Sequence, residues 1–247
     1  MTLDEVADRV FRVSHAYVSC YVVLDGRDVL LVDAGLPAAW PLVGQTLREL
    51  GRRPTDAVGL ALTHAHFDHI GFAARAQARL GIPVWGGGAD FFIAAHPYRY
   101  LHERARAPYP LRHPRAAAVL GAMALAGALH VPGVRDLVPY RPGQRLDAPG
   151  EPHVLATPGH TAGHHALHLA DRDVLLTGDS LVTFDPYTGD DGPQIVAGAA
   201  TADSAQALAS LDVLAATGAG TLLPGHGHPW ADGAERAVAL ARERGPH

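Results

Sequence analysis

The chain of 247 residues contains no lysine, and all its basic residues are arginines. Its formal charge is −5, so a surface that binds nucleic acid or another polyanion is disfavoured. Cys20 is the single cysteine, which excludes an intrachain disulfide. The fold must therefore be stabilised by burial and hydrogen bonding, and a metal site, if present, would depend mainly on ligands other than thiolate.

Long hydrophobic runs are also missing, since no apolar stretch reaches the ~18 residues that a membrane helix needs. The first residues, MTLDE, are acidic and lack the apolar core of a secretory signal. Hydrophobic residues make up 48% and charged residues 18%, which is typical of a globular domain. We therefore expect a cytoplasmic protein without membrane contact, folded as a single domain over 1–247.

The order of elements predicts the fold class. Residues 16–24 and 28–33 form a hairpin pattern, and strand patterns followed by helical patterns then recur in both halves of the chain. Such an order favours two β-sheets packed face to face with helices outside. Residues 88–140 depart from it, because they are Ala-rich and Arg-rich and are interrupted by prolines, which predicts a helical insert.

The most unusual stretch is THAHFDHIGF, residues 63–72, which follows the apolar strand pattern AVGLALT. It places three histidines and an aspartate within six positions, at His64, His66, Asp68 and His69. Imidazole and carboxylate groups clustered at a strand end are candidate metal ligands.

Three further candidates follow apolar strand patterns later in the chain. His160 lies in LATPGHTAGHH, Asp179 in VLLTGDS and His226 in TLLPGHG. Each has a glycine or proline beside it, where a tight turn directs a side chain outward. A catalytic metal site needs ligands that converge from separate segments in this way.

Taken in order, LLVDAG, the H-x-H-x-D-H block, TPGHTAGH, LLTGDS and LLPGHG resemble the motifs of the metallo-β-lactamase fold superfamily. The resemblance is to its dinuclear hydrolase branch, which includes glyoxalase II, lactonases and β-lactamases. It implies a four-layer αββα sandwich of two mixed β-sheets with outer helices.

The resemblance also implies a ligand set. One metal would be bound by His64, His66 and His160, and a second by Asp68, His69 and His226, with Asp179 bridging them. Nitrogen and carboxylate donors suit two Zn²⁺ ions, with Fe or Mn as alternatives. Asp33 and His164 are expected to orient ligands from behind.

The expected chemistry is hydrolysis by a metal-activated hydroxide. Asp68 or Asp179 would orient the hydroxide or pass a proton to the leaving group. We expect a small acyl substrate: an ester, lactone or thioester. The alternatives are a phosphodiesterase on a small or nucleotide substrate, β-lactamase-type amide hydrolysis, a mononuclear iron dioxygenase and a non-catalytic binding module. Lactonases of this fold place a tyrosine soon after the bridging aspartate, whereas here Phe184 precedes the first tyrosine, Tyr187.

The insert at 88–140 is the part of the chain most able to shape a substrate site. We interpret it as a lid over the site mouth, with a homo-oligomer contact as the alternative. Its aromatic residues would line an apolar slot. Five of its six arginines would meet a carboxylate or phosphate of the substrate; they are Arg99, Arg104, Arg106, Arg112 and Arg115.

Overall fold

The computed structural model describes residues 3–141 and 143–247, which form two main β-sheets with helices. The first sheet has seven strands in chain order. They are β1 (Glu5–Ala7), β2 (Val10–His15), β3 (Val18–Asp25), β4 (Asp28–Val32), β5 (Ala57–Ala61), β6 (Val84–Gly86) and β7 (Leu137–Pro139). Strands β1 to β4 are antiparallel, and β4 to β7 are parallel, so the sheet is mixed.

The second sheet has four strands in the order β13-β10-β9-β8. They are β8 (His153–Ala156), β9 (His165–Leu169), β10 (Val174–Gly178) and β13 (Thr221–Pro224). Strands β10 and β13 are parallel and the other pairs are antiparallel, so this sheet is mixed too. A separate hairpin pairs β11 (Val182–Phe184) with β12 (Asp191–Gln194).

Helices complete the architecture. They are α1 (Ala39–Glu49), α2 (Ala73–Leu80), α3 (Phe91–Ala95), α4 (Pro108–Arg112), α5 (Pro114–Leu125), α6 (Ser204–Ala215) and α7 (Ala234–Arg244). Helix α2 ends at Gly81, whose φ of 67° is the left-handed conformation that glycine adopts at low cost. Helix α6 begins at Asp203, whose carboxylate accepts a hydrogen bond from the Gln206 backbone.

Alternation along the strands explains the layers. In β3, Val22 packs into a core shared with α1 and α2, whereas Val23 packs into the core between the two sheets. In β10, Leu176 faces the first sheet and Leu175 faces α6 and α7. Each sheet is thus apolar on both faces, and the predicted sandwich of two mixed sheets with outer helices is confirmed.

The insert differs in extent from the prediction. Its helices are α3, α4 and α5, but β7 lies within 88–140 and extends the first sheet beside β6. Strand β7 has only three residues, Leu137–Pro139, and only the first of them is buried. Such a pattern is too short to be recognised as a strand from the sequence. The helical part therefore spans 91–125. In the described parts of the chain, no helix is long and apolar enough to cross a membrane.

Candidate metal centre

The candidate ligands stand at the carboxyl ends of neighbouring strands. The residues from His64 to His69 follow β5, Asp179 follows β10 and His226 follows β13. Because β10 and β13 are parallel neighbours, their carboxyl ends meet at one edge of the second sheet. His160 reaches the same place from the loop between β8 and β9. The fold thus brings all seven predicted ligand residues to one site.

The ligand atoms lie close together. Three groups each have their candidate atoms within 4.8 Å of one another: His64, His66 and His160; His64, His69 and Asp179; and Asp68, His69 and His226. Nδ1 of His66 lies 2.9 Å from Nε2 of His160. All seven residues are buried; the most exposed of them, Asp68, has 6% of its residue surface accessible to solvent.

Asp179 occupies the middle of the cluster. Its Oδ2 lies 3.2 Å from Nε2 of His226 and 3.5 Å from Nε2 of His160. Its Oδ1 lies 3.4 Å from Nε2 of His69. The carboxylate therefore faces ligands of both predicted metals, as a bridging group must.

Several of these buried atoms have no hydrogen-bond partner. They include Nε2 of His64, Nε2 of His69 and Oδ1 of Asp179. Buried polar atoms are almost always paired, so convergent unpaired lone pairs call for an explanation. A divalent cation held by imidazole and carboxylate would satisfy them, so the donor set fits the metal pair that the motifs imply. Their assignment as ligands stays a prediction.

The histidines of the site differ in the direction in which their pKa is shifted. Burial lowers the pKa of His160 to about 4, and it also lowers the pKa of His64 and His66. Their imidazoles are neutral and keep lone pairs for a cation. Burial acts in the same sense on His69, but the carboxylates of Asp179 and Asp33 outweigh it and raise its pKa to about 9. Positive charge on this side of the site is thus already favoured by carboxylates.

Asp33 positions two of the predicted ligands. Its Oδ2 lies 3.0 Å from Nδ1 of His69, and its Oδ1 accepts a hydrogen bond of 2.7 Å from the Thr63 backbone. The Thr63 hydroxyl contacts Nδ1 of His64 at 3.1 Å. Asp33 adopts a φ of 58°, an uncommon conformation for a residue other than glycine, typical of functional sites. The structure places Asp33 where the sequence predicted an orienting residue.

His164 stands behind the cluster. Its Nε2 accepts a hydrogen bond of 3.0 Å from the Asp179 backbone, so its Nδ1 carries the proton and donates to the Thr157 hydroxyl at 2.8 Å. Both ring nitrogens are therefore engaged, and His164 supports the Asp179 turn. This is the kind of supporting position that the sequence suggested for it.

Sequence reasoning missed two supporting residues. Thr201 donates its hydroxyl to the Val196 carbonyl at 2.6 Å, so it accepts from Nδ1 of His160 at 3.2 Å and leaves Nε2 of His160 unprotonated. Asp90, 1% exposed, lies just before α3 and accepts hydrogen bonds from Ala65, Thr161 and Gly163. It ties the loop of the first histidines to the loop of His160. Neither residue lies in a motif that signals this role.

A small cavity opens onto the cluster. Its volume is about 20 Å³, which is room for about one water. Its walls are mainly apolar and aromatic, and the insert contributes Tyr100, Leu120 and Met123. Other wall residues are Phe67, Pro186, Tyr187, Val196 and Ala200.

Comparison with known proteins gives a consistent result. The sequence profile of the metallo-beta-lactamase superfamily matches residues 15–226. An uncharacterized protein of Mycobacterium tuberculosis is 27% identical over 88% of this chain and 89% of its own length. The probable metallo-hydrolase YflN of Bacillus subtilis is 25% identical over 81% of this chain and 75% of its own length.

Solved structures extend the likeness. The metallo-beta-lactamase family protein TTHA1429 of Thermus thermophilus superposes with a TM-score of 0.69 and 27% identity, covering 96% of this chain and 79% of its own. The protein TTHA1623, solved in a di-iron-bound form, superposes with a TM-score of 0.59 and 25% identity, covering 93% of both chains. Both neighbours share the architecture described above.

Proposed function

The chain belongs to the metallo-β-lactamase superfamily and is a metallo-hydrolase, and we propose that it hydrolyses a small acyl compound, an ester, lactone or thioester. The observation that carries the proposal is the cluster of seven buried donors at the floor of an apolar cavity. Apolar walls favour the hydrocarbon part of an acyl group, and the buried donors favour hydrolytic metal chemistry.

We propose two Zn²⁺ ions as the cofactors. His64, His66 and His160 would hold one, Asp68, His69 and His226 the other, and Asp179 both. Imidazole and carboxylate donors without thiolate also suit iron or manganese, and TTHA1623 was solved in a di-iron-bound form. When bound, such ions lower the pKa of a water molecule toward about 7 and polarise a substrate oxygen.

The chain's own residues would manage protons and charge. Asp68 lines the cavity, and its Oδ2 lies 3.4 Å from Nε2 of His226. This carboxylate would take a proton from the attacking water and return it to the leaving group. Burial raises the pKa of Tyr100 and Tyr187, which line the same cavity, so both phenols stay protonated. One of the two hydroxyls would donate a hydrogen bond to a developing oxyanion.

The insert acts, in this proposal, as a lid. Tyr100 covers the cluster, with its ring centre 4.0 Å from that of His66. Glu103 fastens the segment by accepting hydrogen bonds of 2.8 and 2.6 Å from the backbone and hydroxyl of Ser204. Because the cavity admits about one water, a substrate enters only when this segment moves. Closure then excludes bulk water from the reaction.

The insert also leaves four leucines exposed, and we propose that they contribute to a homo-oligomer contact. They are Leu101, Leu111, Leu125 and Leu129, between 68% and 93% exposed. We propose a small molecule as the substrate, because the formal charge of −5 disfavours a nucleic-acid partner. The proposed oligomer predicts a mass above 26.0 kDa in sedimentation at low micromolar concentration.

Metal analysis and a substrate panel test the proposed function. We expect two zinc ions per purified chain and turnover of at least one thioester, lactone or aryl ester. One iron per chain with oxygen-dependent turnover would instead indicate a dioxygenase. Preferential turnover of bis-p-nitrophenyl phosphate or of a β-lactam would identify those alternatives, and absence of both metal and turnover would indicate a binding module.

The variant Asp179→Ala sharpens this test. It removes the carboxylate in contact with His69, His160 and His226, so we expect loss of much of the metal and nearly all turnover while the fold persists. Asp171→Ala is the matched control, because Asp171 is exposed and lies in the turn after β9. Normal turnover in the Asp179 variant would refute the bridging role.

A further inference from the structure

Arg106 has a hydrogen-bonding deficit that distinguishes it from the other arginines of the insert. Its Nε donates to the Ala199 carbonyl at 3.1 Å, but its Nη2 is buried without any partner. In the described part of the chain, no carboxylate forms an ion pair with it. By contrast, Arg115 contacts Asp191 and Arg112 is exposed to solvent. A buried, unpaired donor on a charged group is costly, so this guanidinium lacks an anion.

Arg106 also lies close to the candidate metal centre. Its Cζ stands 4.2 Å from the centre of the Tyr100 ring, and the centre of that ring lies 4.0 Å from that of His66. Ala199, which accepts its Nε hydrogen bond, precedes Ala200 in the cavity wall. The guanidinium is therefore one aromatic ring away from the predicted ligands, and its Nε is fixed in orientation.

We propose that Arg106 binds a carboxylate carried by the substrate, so that the substrate class is an anionic acyl compound such as a half-ester of a dicarboxylic acid. The assignment rests on the hydrolase function proposed above. When Tyr100 moves to admit the substrate, Arg106 loses its aromatic neighbour and faces the vacated space. Its free edge matches the two oxygens of a carboxylate.

This arrangement gives each end of the substrate a distinct environment. The scissile group faces the donors around Asp179, and the distal carboxylate pairs with Arg106 beside Tyr100. The apolar wall formed by Leu120 and Met123 contacts the hydrocarbon between them. A neutral acyl compound of the same length would leave Arg106 unpaired and would bind less tightly.

Binding of glutarate to the zinc-loaded protein tests the assignment directly. Isothermal titration calorimetry on the wild type, Arg106→Gln, Arg106→Lys and the matched control Arg112→Gln compares the dissociation constants. Loss of a charge-assisted hydrogen bond in a partly buried site predicts that Arg106→Gln weakens binding roughly 10- to 100-fold. We expect Arg106→Lys to weaken it less, because the charge remains, and Arg112→Gln to leave it unchanged.

Three results would overturn the assignment. They are undetectable glutarate binding to the wild type, an Arg106→Gln dissociation constant within twofold of the wild type, and inorganic phosphate binding more tightly than glutarate in an Arg106-dependent way. Carboxylate bound at the zinc ions is common to all variants, so it does not affect the comparison.

Kinetic measurements distinguish a failure of the Arg106 assignment from a failure of the proposed hydrolase function. With 4-nitrophenyl hydrogen glutarate and the neutral 4-nitrophenyl valerate, we expect Arg106→Gln to lower kcat/KM for the anionic ester only. Equal losses for both esters would overturn the assignment even if the enzyme is a hydrolase. If the wild type cleaves neither ester, that result counts against the proposed function, and calorimetry still decides the role of Arg106.

Discussion

The backbone N–H of Asp179 donates a hydrogen bond of 3.0 Å to Nε2 of His164. A histidine outside the predicted ligand set therefore supports the central carboxylate of the cluster. Nδ1 of the same ring contacts the Thr157 hydroxyl, so both nitrogens are fixed. The ring therefore links the loop that precedes β9 to the turn that follows β10. Such partners hold ligands in orientation and contribute strongly to metal affinity.

We predict that His164→Ala lowers zinc affinity or turnover roughly 10- to 100-fold, because the Asp179 turn loses its support. Metal titration and kcat/KM on the folded variant measure the effect. His168→Ala is the control, because His168 lies in β9, just after His164 in the chain, and is only partly buried. Equal zinc affinity and turnover in the two variants would show that the hydrogen bond does not position Asp179.

Asp90 gives a prediction about stability. Its carboxylate accepts three hydrogen bonds, from the backbones of Ala65 and Gly163 and from the Thr161 hydroxyl. Asp90→Ala leaves these buried donors unpaired, so we expect the free energy of unfolding to fall by about 2–4 kcal/mol. Denaturant titration measures the loss, and the exposed Asp232 provides the control Asp232→Ala. A change below about 0.5 kcal/mol, typical of surface substitutions, would contradict the support role.

Gly225 tests how closely the backbone approaches the candidate ligands. A Cβ added there would overlap Oδ1 of Asp179 and the His69 ring. We therefore expect Gly225→Ala to displace these side chains and to lower zinc stoichiometry and turnover, with the outer helices still folded. Zinc content and circular dichroism measure the two effects.

The control for this variant is Gly121→Ala. Gly121 lies in α5 with open space where a Cβ would be, so alanine should raise stability by roughly 0.5–1 kcal/mol and leave zinc binding intact. Full zinc stoichiometry in Gly225→Ala would mean that the ligand cluster relaxes without cost, against the packing described here.

Much of this structure could be predicted from local sequence patterns. Two runs rich in β-forming residues, separated by DGR, predicted β3 and β4, and a helix-period stripe predicted α1 before Gly51. The seven candidate ligands were recognisable because their spacing and their strand-end positions are unusual together. Each of these signals is contained in a few consecutive residues.

Other features have no local signal. Strand β12 reads DGPQ, with glycine and proline that disfavour a strand, and it forms only because it pairs with β11. The roles of Asp90 and Thr201 depend on loops that approach each other in three dimensions. The selection of Arg106 among five arginines likewise required knowing which guanidinium is buried without a partner.

His247 and Asp185 yield a prediction about pH. Nε2 of His247 lies 3.1 Å from Oδ2 of Asp185, a carboxylate that is 0% exposed and also accepts from the Tyr187 and Ala197 backbones. The hydrogen bond to Asp185, opposed by partial burial, raises the pKa of His247 above its ordinary value of 6.5. Protonated His247 therefore favours the folded state.

The stabilising contribution of this pair is fully present below pH 6.5 and is lost as the pH rises through the raised pKa of folded His247. Because the imidazole is partly exposed, we expect the loss to be at most about 1 kcal/mol. Denaturant titrations of the wild type and His247→Gln at pH 5.5, 7 and 9 isolate this contribution from other titrating groups. We expect the stability difference between the two proteins to be largest at pH 5.5 and to shrink at pH 9. Parallel pH profiles would show that His247 does not exchange a proton on unfolding and that Asp185 is held by its backbone donors alone.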